Sequence, residues 1–228
     1  MYFQGFVIPV MAENKSAYLD MAKNAAPIFA EYGAMRTVGC WGENVTDGKI
    51  TDLKKAVRAN DEETVVFSWV WWPAKATCDA AAGKLMADDR MKPDDPMPFD
   101  GQRMIYTGFD VTVDTGVGGK FGYVDGRIAS VPDGNRQGFI DHAAKTAGFF
   151  REREALRVLD GWGIDLAAGK VTDFKRAVQA KDGGTVVFGW IEWPDKATRD
   201  AGMGAPMQDL RMRETPPAWN GQLAIFGA

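Results

Sequence analysis

Apolar residues follow two different spacings along the first half of the chain. Continuous or alternating runs of β-branched and aromatic residues predict strands over 2–10, 34–42, 64–72 and 102–110. Apolar residues at every third or fourth position, Ala-rich stretches and a Thr/Asp cap predict helices over 14–33, 51–59 and 74–87. The first helix is expected to end at Gly33. With 51–59 as a short extra helix, the order is the β-α-β-β-α-β unit of ferredoxin-like folds.

The second half of the chain repeats the first at a distance of 121 residues. Between 2–91 and 123–212, 39 of 90 aligned positions are identical, with no gap. Long matches are GKITDLKKAV (48–57) with GKVTDFKRAV (169–178), and TVVFSWVWWPAKAT (64–77) with TVVFGWIEWPDKAT (185–198). One residue is then lost, and FDGQ (99–102) matches WNGQ (219–222). Such repetition predicts two homologous domains in one chain.

The repeat also places the domain boundaries. We expect a first ferredoxin-like domain over 1–110, a Gly-rich linker over 111–121 and a second domain over 122–228. The stretch Tyr2–Gly5 resembles the remnant of a protease tag, but it aligns with YVDG at 123–126. It is therefore interpreted as native.

The predicted fold class is α+β, with two tandem ferredoxin-like domains. Each domain would form a four-stranded antiparallel sheet with its helices on one face, and the other face must then be covered. Two copies in one chain can cover each other. The expected result is an intramolecular pseudo-dimeric α/β barrel.

Composition narrows the function classes. The net charge is −4 and the pI about 5.1, so the electrostatic footprint of a nucleic-acid binder is missing. No apolar run reaches the roughly 18–20 residues of a membrane helix, and no secretory signal is recognised. Cys40 and Cys78 fit neither zinc spacing nor a CxxC motif. We expect a cytoplasmic protein, a monomer or homodimer, with no metal site, no cofactor and a possible small-molecule ligand.

Three stretches of the first half resemble one known family. They are CWGENVTDGKITDLKKAV (40–57), TVVFSWVWWP (64–73) and MPFDGQRMIYTGF (97–109). The chain is identified from them as similar to the bacterial YbaA-like family, of unknown function, in the dimeric α/β-barrel superfamily. The resemblance implies single-domain relatives that form homodimers, of which this chain looks like a fused tandem version. It implies no reaction, because relatives in the superfamily range from cofactor-free monooxygenases to haem enzymes and stress proteins.

Candidate site residues come from the aromatic and polar positions of the first half. The ligand-binding candidates are Tyr2, Trp41, Asp47 and Trp69, with the two Trp side chains as apolar walls. The catalytic candidates are Asp100, Arg103 and Tyr106. Arg103 would orient an anionic group, and Asp100 or Tyr106 could move a proton. The second half has Asn220, Leu223 and Phe226 at these three positions, so the first half is expected to keep the polar pocket.

Structural explanations compete with each of these assignments. The Trp residues also suit a core or a domain interface, and Asp52 and Asp173 suit helix capping better than catalysis. The single histidine, His142, aligns with Met21 and is interpreted as a packing position, with haem ligation as a remote alternative.

The leading interpretation is a protein that binds a small, partly apolar molecule. Its pocket would lie between sheet and helices or between the two halves. One alternative is a cofactor-independent oxygenase or isomerase. The other is a structural or interaction protein with a filled barrel and no small-molecule site.

Overall fold

The computed structural model describes residues 1–43, 45–92, 96–116, 118–204 and 217–227. Within them the strands are β1 (Tyr2–Met11), β2 (Arg36–Trp41), β3 (Glu63–Trp72), β4 (Ile105–Gly116), β5 (Tyr123–Pro132), β6 (Arg157–Gly163), β7 (Gly184–Trp193) and β8 (Ile225–Gly227). The helices are α1 (Lys15–Glu31), α2 (Leu53–Ala56), α3 (Lys75–Ala87), α4 (Arg136–Arg151), α5 (Phe174–Ala177) and α6 (Lys196–Gly204). Short 3-10 turns lie at Ala12–Asn14, Asp89–Met91 and Asp133–Asn135.

All the strands belong to one antiparallel sheet in the order β2-β3-β1-β4-β6-β7-β5-β8. Each half of this order is the ferredoxin-like arrangement, and the halves join where β4 pairs with β6. The α+β prediction is confirmed. The sheet curls into a barrel that is hydrogen-bonded across the β4–β6 seam, whereas no pairing joins β2 to β8 among the described residues.

Most predicted elements are present, with shifted ends. Gly33 follows α1 with a φ of +99°, a conformation that favours glycine, and ends the helix as predicted. The strand predicted over 102–110 is corrected at both ends. It begins later, because Asp100 accepts from the backbone of Gln102 and holds 101–103 in a turn. It continues to Gly116, because its second half pairs with β6 of the other repeat.

Alternation along β3 separates two layers of the molecule. Phe67, Trp69 and Trp71 face the barrel interior, whereas Val70 and Trp72 face the helices. Trp69 and Trp72, three positions apart, thus point to opposite faces of the sheet.

The barrel interior is filled by aromatic rings that meet across the pseudo-twofold relation between the repeats. Phe67 stacks on its counterpart Phe188 with ring centroids 4.4 Å apart. Trp69 stacks on its counterpart Trp190 at 4.1 Å. Both pairs come from the TVVF-W motif common to the two repeats. The stacked rings therefore fill the centre of the barrel.

The two short helices meet across the same pseudo-twofold relation. The Thr51 hydroxyl donates to the Ala177 carbonyl at 2.6 Å, and that of Thr172 donates to Ala56 at 2.8 Å. Asp52 accepts from the Lys55 backbone at 2.7 Å, and Asp173 caps α5 in the same way. Both aspartates are therefore helix caps, as predicted.

Residues of the predicted linker also contact the barrel. Phe121 packs on Trp69 with ring centroids 6.3 Å apart, and the Gly119 carbonyl accepts from Arg36 at 3.0 Å. These contacts and the length of β4 tie much of the stretch between the repeats to the fold.

Candidate small-molecule site

The predicted ligand-binding residues lie in different parts of the molecule. Trp69 is fully buried in the barrel core. Trp41 is half-buried on β2, where its ring lies 6.3 Å from that of Tyr18 and under the ammonium of Lys15. Asp47 is exposed in the loop after β2. These side chains do not share a cavity.

Two of the predicted catalytic residues, Asp100 and Arg103, belong to an ion-pair cluster at the first residue of β3. The Arg103 guanidinium donates to both carboxylate oxygens of Glu63, at 2.6 and 2.8 Å, and to Asp100 at 2.7 Å. Arg103 holds the pKa values of Glu63 and Asp100 below their usual range. An arginine with two carboxylate partners fixes the turn before β4, and its charge is already neutralised.

Tyr2 and Tyr106 line one cavity of about 400 Å³ between the repeats, which we call the first inter-repeat pocket. The Tyr2 hydroxyl donates to Asp165 at 3.0 Å, and the Lys75 ammonium lies 3.4 Å from the same carboxylate. Burial, followed by the bond to Asp165, raises the pKa of Tyr2. The phenol therefore stays protonated at neutral pH, as a hydrogen-bond donor. A Cβ at Gly108 would collide with this ring, so glycine is required beside it.

A second inter-repeat pocket, of about 350 Å³, occupies the corresponding place in the other repeat. Its lining includes Tyr123, the counterpart of Tyr2, and Phe226, the counterpart of Tyr106. It differs from the first pocket in one partly buried ion pair, in which Arg199 donates to Asp125 from Nε and Nη2 at 2.5–2.9 Å.

The corresponding residues of the first pocket are Gln4 and Cys78. In both pockets a tryptophan indole completes the arrangement. Trp72 donates to Gln4 at 3.2 Å, and Trp193 donates to Asp125 at 2.8 Å. Asp125 and Arg199 thus occur together in the second repeat, and both are replaced in the first repeat.

A third cavity, about 420 Å³, lies between α1 and the outer face of the first repeat's sheet. We call it the α1 groove. It is lined by aromatic and methionine side chains, namely Phe6, Tyr18, Phe29, Phe99, Met21, Met91, Met97 and Met104. Such soft, apolar lining adapts to ligands of different shape. None of the seven residues predicted from sequence lines it, although Trp41 contacts its Tyr18.

Few polar groups face the α1 groove. The Ser68 hydroxyl lies on its floor and donates to the Val38 carbonyl at 2.7 Å. Burial raises the pKa of Tyr18, so a ligand would meet a neutral phenol there. Arg90 lies at the rim, where Glu31 and Asp88 bind it at 2.7 and 2.8 Å.

The same place in the second repeat holds polar side chains. The buried Asp160 and the partly buried Arg127 form an ion pair where the first repeat has Gly39 and Phe6. Burial raises the pKa of Asp160, opposed by the Arg127 charge. Asp160 Oδ2 has no hydrogen-bond partner among the described residues.

Aromatic rings complete this packing. Trp219, the counterpart of Phe99, lies 4.8 Å from the Arg127 guanidinium and 4.8 Å from the His142 ring. The prediction that His142 is a packing position agrees with its place among the buried residues of α4.

Sequence reasoning missed both the α1 groove and its packed counterpart. The useful signal lies in two residues that face each other across neighbouring strands. The first repeat pairs Gly39 with Ser68, and the second pairs Asp160 with Gly189. A Cβ at Gly189 would collide with the Asp160 carboxylate. In the first repeat the glycine is on β2 and the side chain is on β3, and in the second repeat this arrangement is reversed.

Cofactor ligands are few in the part of the chain described by the structure. No group of three or more His, Cys, Asp or Glu side chains there is arranged to hold a metal ion. Cys40 and Cys78 are unpaired, and burial raises their pKa values to about 12 and about 11, so neither is a thiolate at neutral pH. No described helix combines the length and apolar character needed to cross a membrane.

The model of one protein family matches the chain twice. This family, DUF1428, is described as proteins of unknown function, and the matches cover residues 1–101 and 122–221. The chain belongs to this family. The two matches agree with the tandem repeat and with the resemblance found from the sequence.

Known proteins are similar to this chain in sequence or in fold. The uncharacterized protein YbaA of Escherichia coli K12 is 53% identical over 114 residues, which are 50% of this chain and 97% of YbaA. A candidate monooxygenase from Lactobacillus acidophilus NCFM has a similar structure (TM-score 0.52, 12% identity, 94% of this chain and 84% of that chain). An anthrone oxidase-like protein is similar to the same degree (TM-score 0.52, 13% identity, 99% and 89%). At such identities the structures show a common fold alone.

Proposed function

We propose that this DUF1428 protein binds a small, partly apolar molecule in the α1 groove of its first repeat. One observation carries the proposal: the first repeat keeps a cavity of about 420 Å³ under α1, whereas among the described residues of the second repeat Asp160 and Arg127 take the places of Gly39 and Phe6 and make ring contacts there. Interiors are normally close-packed. A cavity of this size with aromatic and methionine walls is the usual form of a ligand site.

The lining limits the class of ligand. An apolar body, such as a ring system, would contact Phe6, Phe29 and the methionines. A single oxygen function on that body would meet the Tyr18 phenol or the Ser68 hydroxyl. Strongly anionic ligands are disfavoured, because both cations of the lining are already bound by carboxylates, Arg90 by Glu31 and Asp88, and Lys92 by Asp89.

An enzymatic version of the proposal is a cofactor-independent oxygenase or isomerase. The anthrone oxidase-like structure shares the fold, which is compatible with such chemistry. A base facing the ligand would be required, and the Tyr18 phenol is a weak one because its pKa is raised. Simple binding is therefore the better-supported proposal. The first inter-repeat pocket, with Tyr2 and Tyr106, is a second proposed binding place.

The proposal includes a cytoplasmic setting, with the chain acting as a monomer or homodimer. Two unpaired cysteines suit a reducing compartment. The fused repeats already supply the partner sheet that the single-domain relatives are expected to obtain from a second copy.

The test fills the groove from the helix side. Ala25 of α1 lines the groove, so Ala25→Phe should place a ring in it, whereas Ala30→Phe on the same helix lies at an exposed position. Binding of the neutral, apolar fluorescent probe N-phenyl-1-naphthylamine would be titrated against all three proteins. We expect one site in the wild type and in A30F, and affinity at least about tenfold weaker in A25F, which is a loss of roughly 1.4 kcal/mol.

Two results would contradict the proposal. One is probe binding in A25F as tight as in the wild type, with circular dichroism showing an unchanged fold. The other is a stoichiometry well above one that all three proteins show, because that would indicate unspecific apolar surface.

A further inference from the structure

The first inter-repeat pocket and the α1 groove lie on the same face of one strand. Side chains alternate between the two faces of a strand, so Tyr2, Gln4, Phe6 and Ile8 of β1 all point toward the helices. Tyr2 and Gln4 line the pocket, whereas Phe6 and Ile8 line the groove. The two cavities therefore follow each other along β1.

The neighbouring strand β4 connects the two cavities. Met104, directly before its first residue, lines both of them. Tyr106 of the pocket stacks on Phe6 of the groove with ring centroids 5.7 Å apart. Tyr106 is 57% exposed, so the stacked rings form an open floor between the cavities. One elongated ligand can therefore contact both cavities.

The first inter-repeat pocket is the polar end of this path. The Lys75 ammonium donates to both carboxylate oxygens of Asp79 at 2.8 Å and lies 3.4 Å from Asp165. Two carboxylates thus share one lysine. The remaining acid of the lining, Asp173, caps α5 and is paired with Arg176. The uncompensated charge of the pocket is therefore negative.

Asp165 has one carboxylate oxygen that a ligand can use. Tyr2 and Lys75 both approach Oδ2, and Oδ1 accepts no hydrogen bond from the described residues. The side chain is 38% exposed and lines the pocket. The Thr107 hydroxyl donates to the Asp165 backbone carbonyl at 2.6 Å, which holds this loop of the second repeat against β4. The second repeat thus places an acceptor in a cavity of the first.

We propose that the α1 groove and the first inter-repeat pocket form one site for an elongated amine. Its apolar body would lie in the groove and its ammonium group at Asp165. This inference rests on the proposed function and specifies the class of its ligand. An ammonium donor forms strong hydrogen bonds with a carboxylate, and the exposed Tyr106 ring offers the cation a further contact.

The test compares n-decylamine with 1-decanol by isothermal titration calorimetry on the full chain. At pH 7 the amine is an ammonium ion, because its pKa is close to that of lysine, about 10.4, whereas the alcohol is neutral. We expect the amine to bind the wild type about tenfold more tightly than the alcohol, because hydrogen bonds to charged groups are the stronger ones.

Variants at two carboxylates test whether Asp165 causes this preference. Asp165→Asn removes the charge and keeps an oxygen acceptor for Tyr2. It should abolish the preference for the amine and leave the affinity for the alcohol unchanged, which also shows that the variant is folded. Asp141→Asn removes an exposed carboxylate of α4, outside both cavities, and should keep the preference. Asp79→Asn lowers the charge of the pocket at a second position and should reduce the preference.

Ala25→Phe separates the two ends of the site. It should weaken binding of the amine and of the alcohol alike, because the bodies of both would lie in the α1 groove. n-Butylamine has the same head and only a short body. Its binding should depend on Asp165 and not on Ala25.

Three results would overturn the proposal. If D165N keeps the preference for the amine while A25F weakens both ligands, the groove binds ligands without an amine site, and the proposed function stands alone. If the preference depends on Asp165 while A25F weakens neither ligand, the ammonium site is separate from the groove and the proposed function fails as well. Absence of binding of both ligands to the wild type would contradict both proposals.

Discussion

The two repeats have the same fold but treat the space under their first helix differently. On α1 the buried residues are Tyr18 and Ile28, whereas α4 buries Phe139, His142, Ala143, Thr146, Ala147, Phe149 and Phe150. The α1 groove is open, whereas the Asp160–Arg127 pair and aromatic rings fill part of its counterpart among the described residues. After a duplication, one unit can use for packing a space that the other keeps as a cavity.

The changes that distinguish the repeats come in pairs. Gly39 and Ser68 face each other in one repeat, and Asp160 and Gly189 in the other. Similarly, Gln4 and Cys78 correspond to Asp125 and Arg199. In each repeat the two members of a pair are matched to each other in size or in charge. Single exchanges should therefore be costly, and paired exchanges should be tolerated.

The largest effect is expected from breaking the buried pair of the second repeat. Arg127→Met leaves the Asp160 carboxylate buried without its cation, which should lower the free energy of unfolding by about 3–5 kcal/mol at pH 7. Urea denaturation followed by tryptophan fluorescence would measure it. The matched change in the first repeat, Phe6→Met, should cost less than about 1.5 kcal/mol. Equal costs at the two positions would contradict the comparison.

The pH dependence of this variant follows from the raised pKa of Asp160. A carboxyl whose pKa is higher in the folded state stabilises the protein fully below its unfolded pKa, about 3.9. That contribution is lost as the pH rises through the folded pKa. The difference between R127M and wild type should therefore shrink as the pH is lowered toward 4. R127M/D160N should recover most of the stability at pH 7.

The element order, the repeat and the aromatic interior could all be predicted from the sequence, because spacing and β-branched composition are local signals. The end of β4 could not, since residues up to Gly116 are held by pairing with β6, 41 or more positions away. The α1 groove could not be predicted either. A helix face with Tyr18, Met21 and Phe29 looks the same whether it packs tightly or stands over a cavity. Arg103 illustrates the converse, since Glu63 rather than a ligand occupies its guanidinium.

A smaller effect is expected from exchanging the polar pair of the inter-repeat pockets. Gln4→Asp in the first repeat places a carboxylate beside Trp72 without the arginine that Asp125 has, and near Asp165. We expect a loss of roughly 1–3 kcal/mol in the free energy of unfolding. Adding Cys78→Arg should restore part of it, with a coupling of about 0.5–3 kcal/mol in a double-mutant cycle. Strictly additive effects would show that the two positions are independent and that their joint change is accidental.

The smallest effect is expected when the same substitution is compared at Trp69 and Trp190, the two stacked tryptophans at the centre of the barrel. Trp190 donates from its indole to Glu192 at 3.2 Å, whereas the Trp69 indole nitrogen has no partner among the described residues. Trp190→Phe should therefore cost about 1 kcal/mol more than Trp69→Phe, although both replace a ring in the same stack.

Glu192 supplies the control for this difference. Glu192 is fully buried, and burial raises its pKa. The Arg36 guanidinium lies 3.6 Å from its carboxylate. Because the carboxylate is buried, losing the hydrogen bond from the indole leaves it poorly solvated. In a Glu192→Gln background the acceptor is neutral, and hydrogen bonds to charged groups are about twice as strong as neutral ones. The excess cost of W190F should then fall by about half. An excess that is unchanged in E192Q would assign the difference to ring packing, and the two halves of the barrel core would then differ in shape rather than in charge.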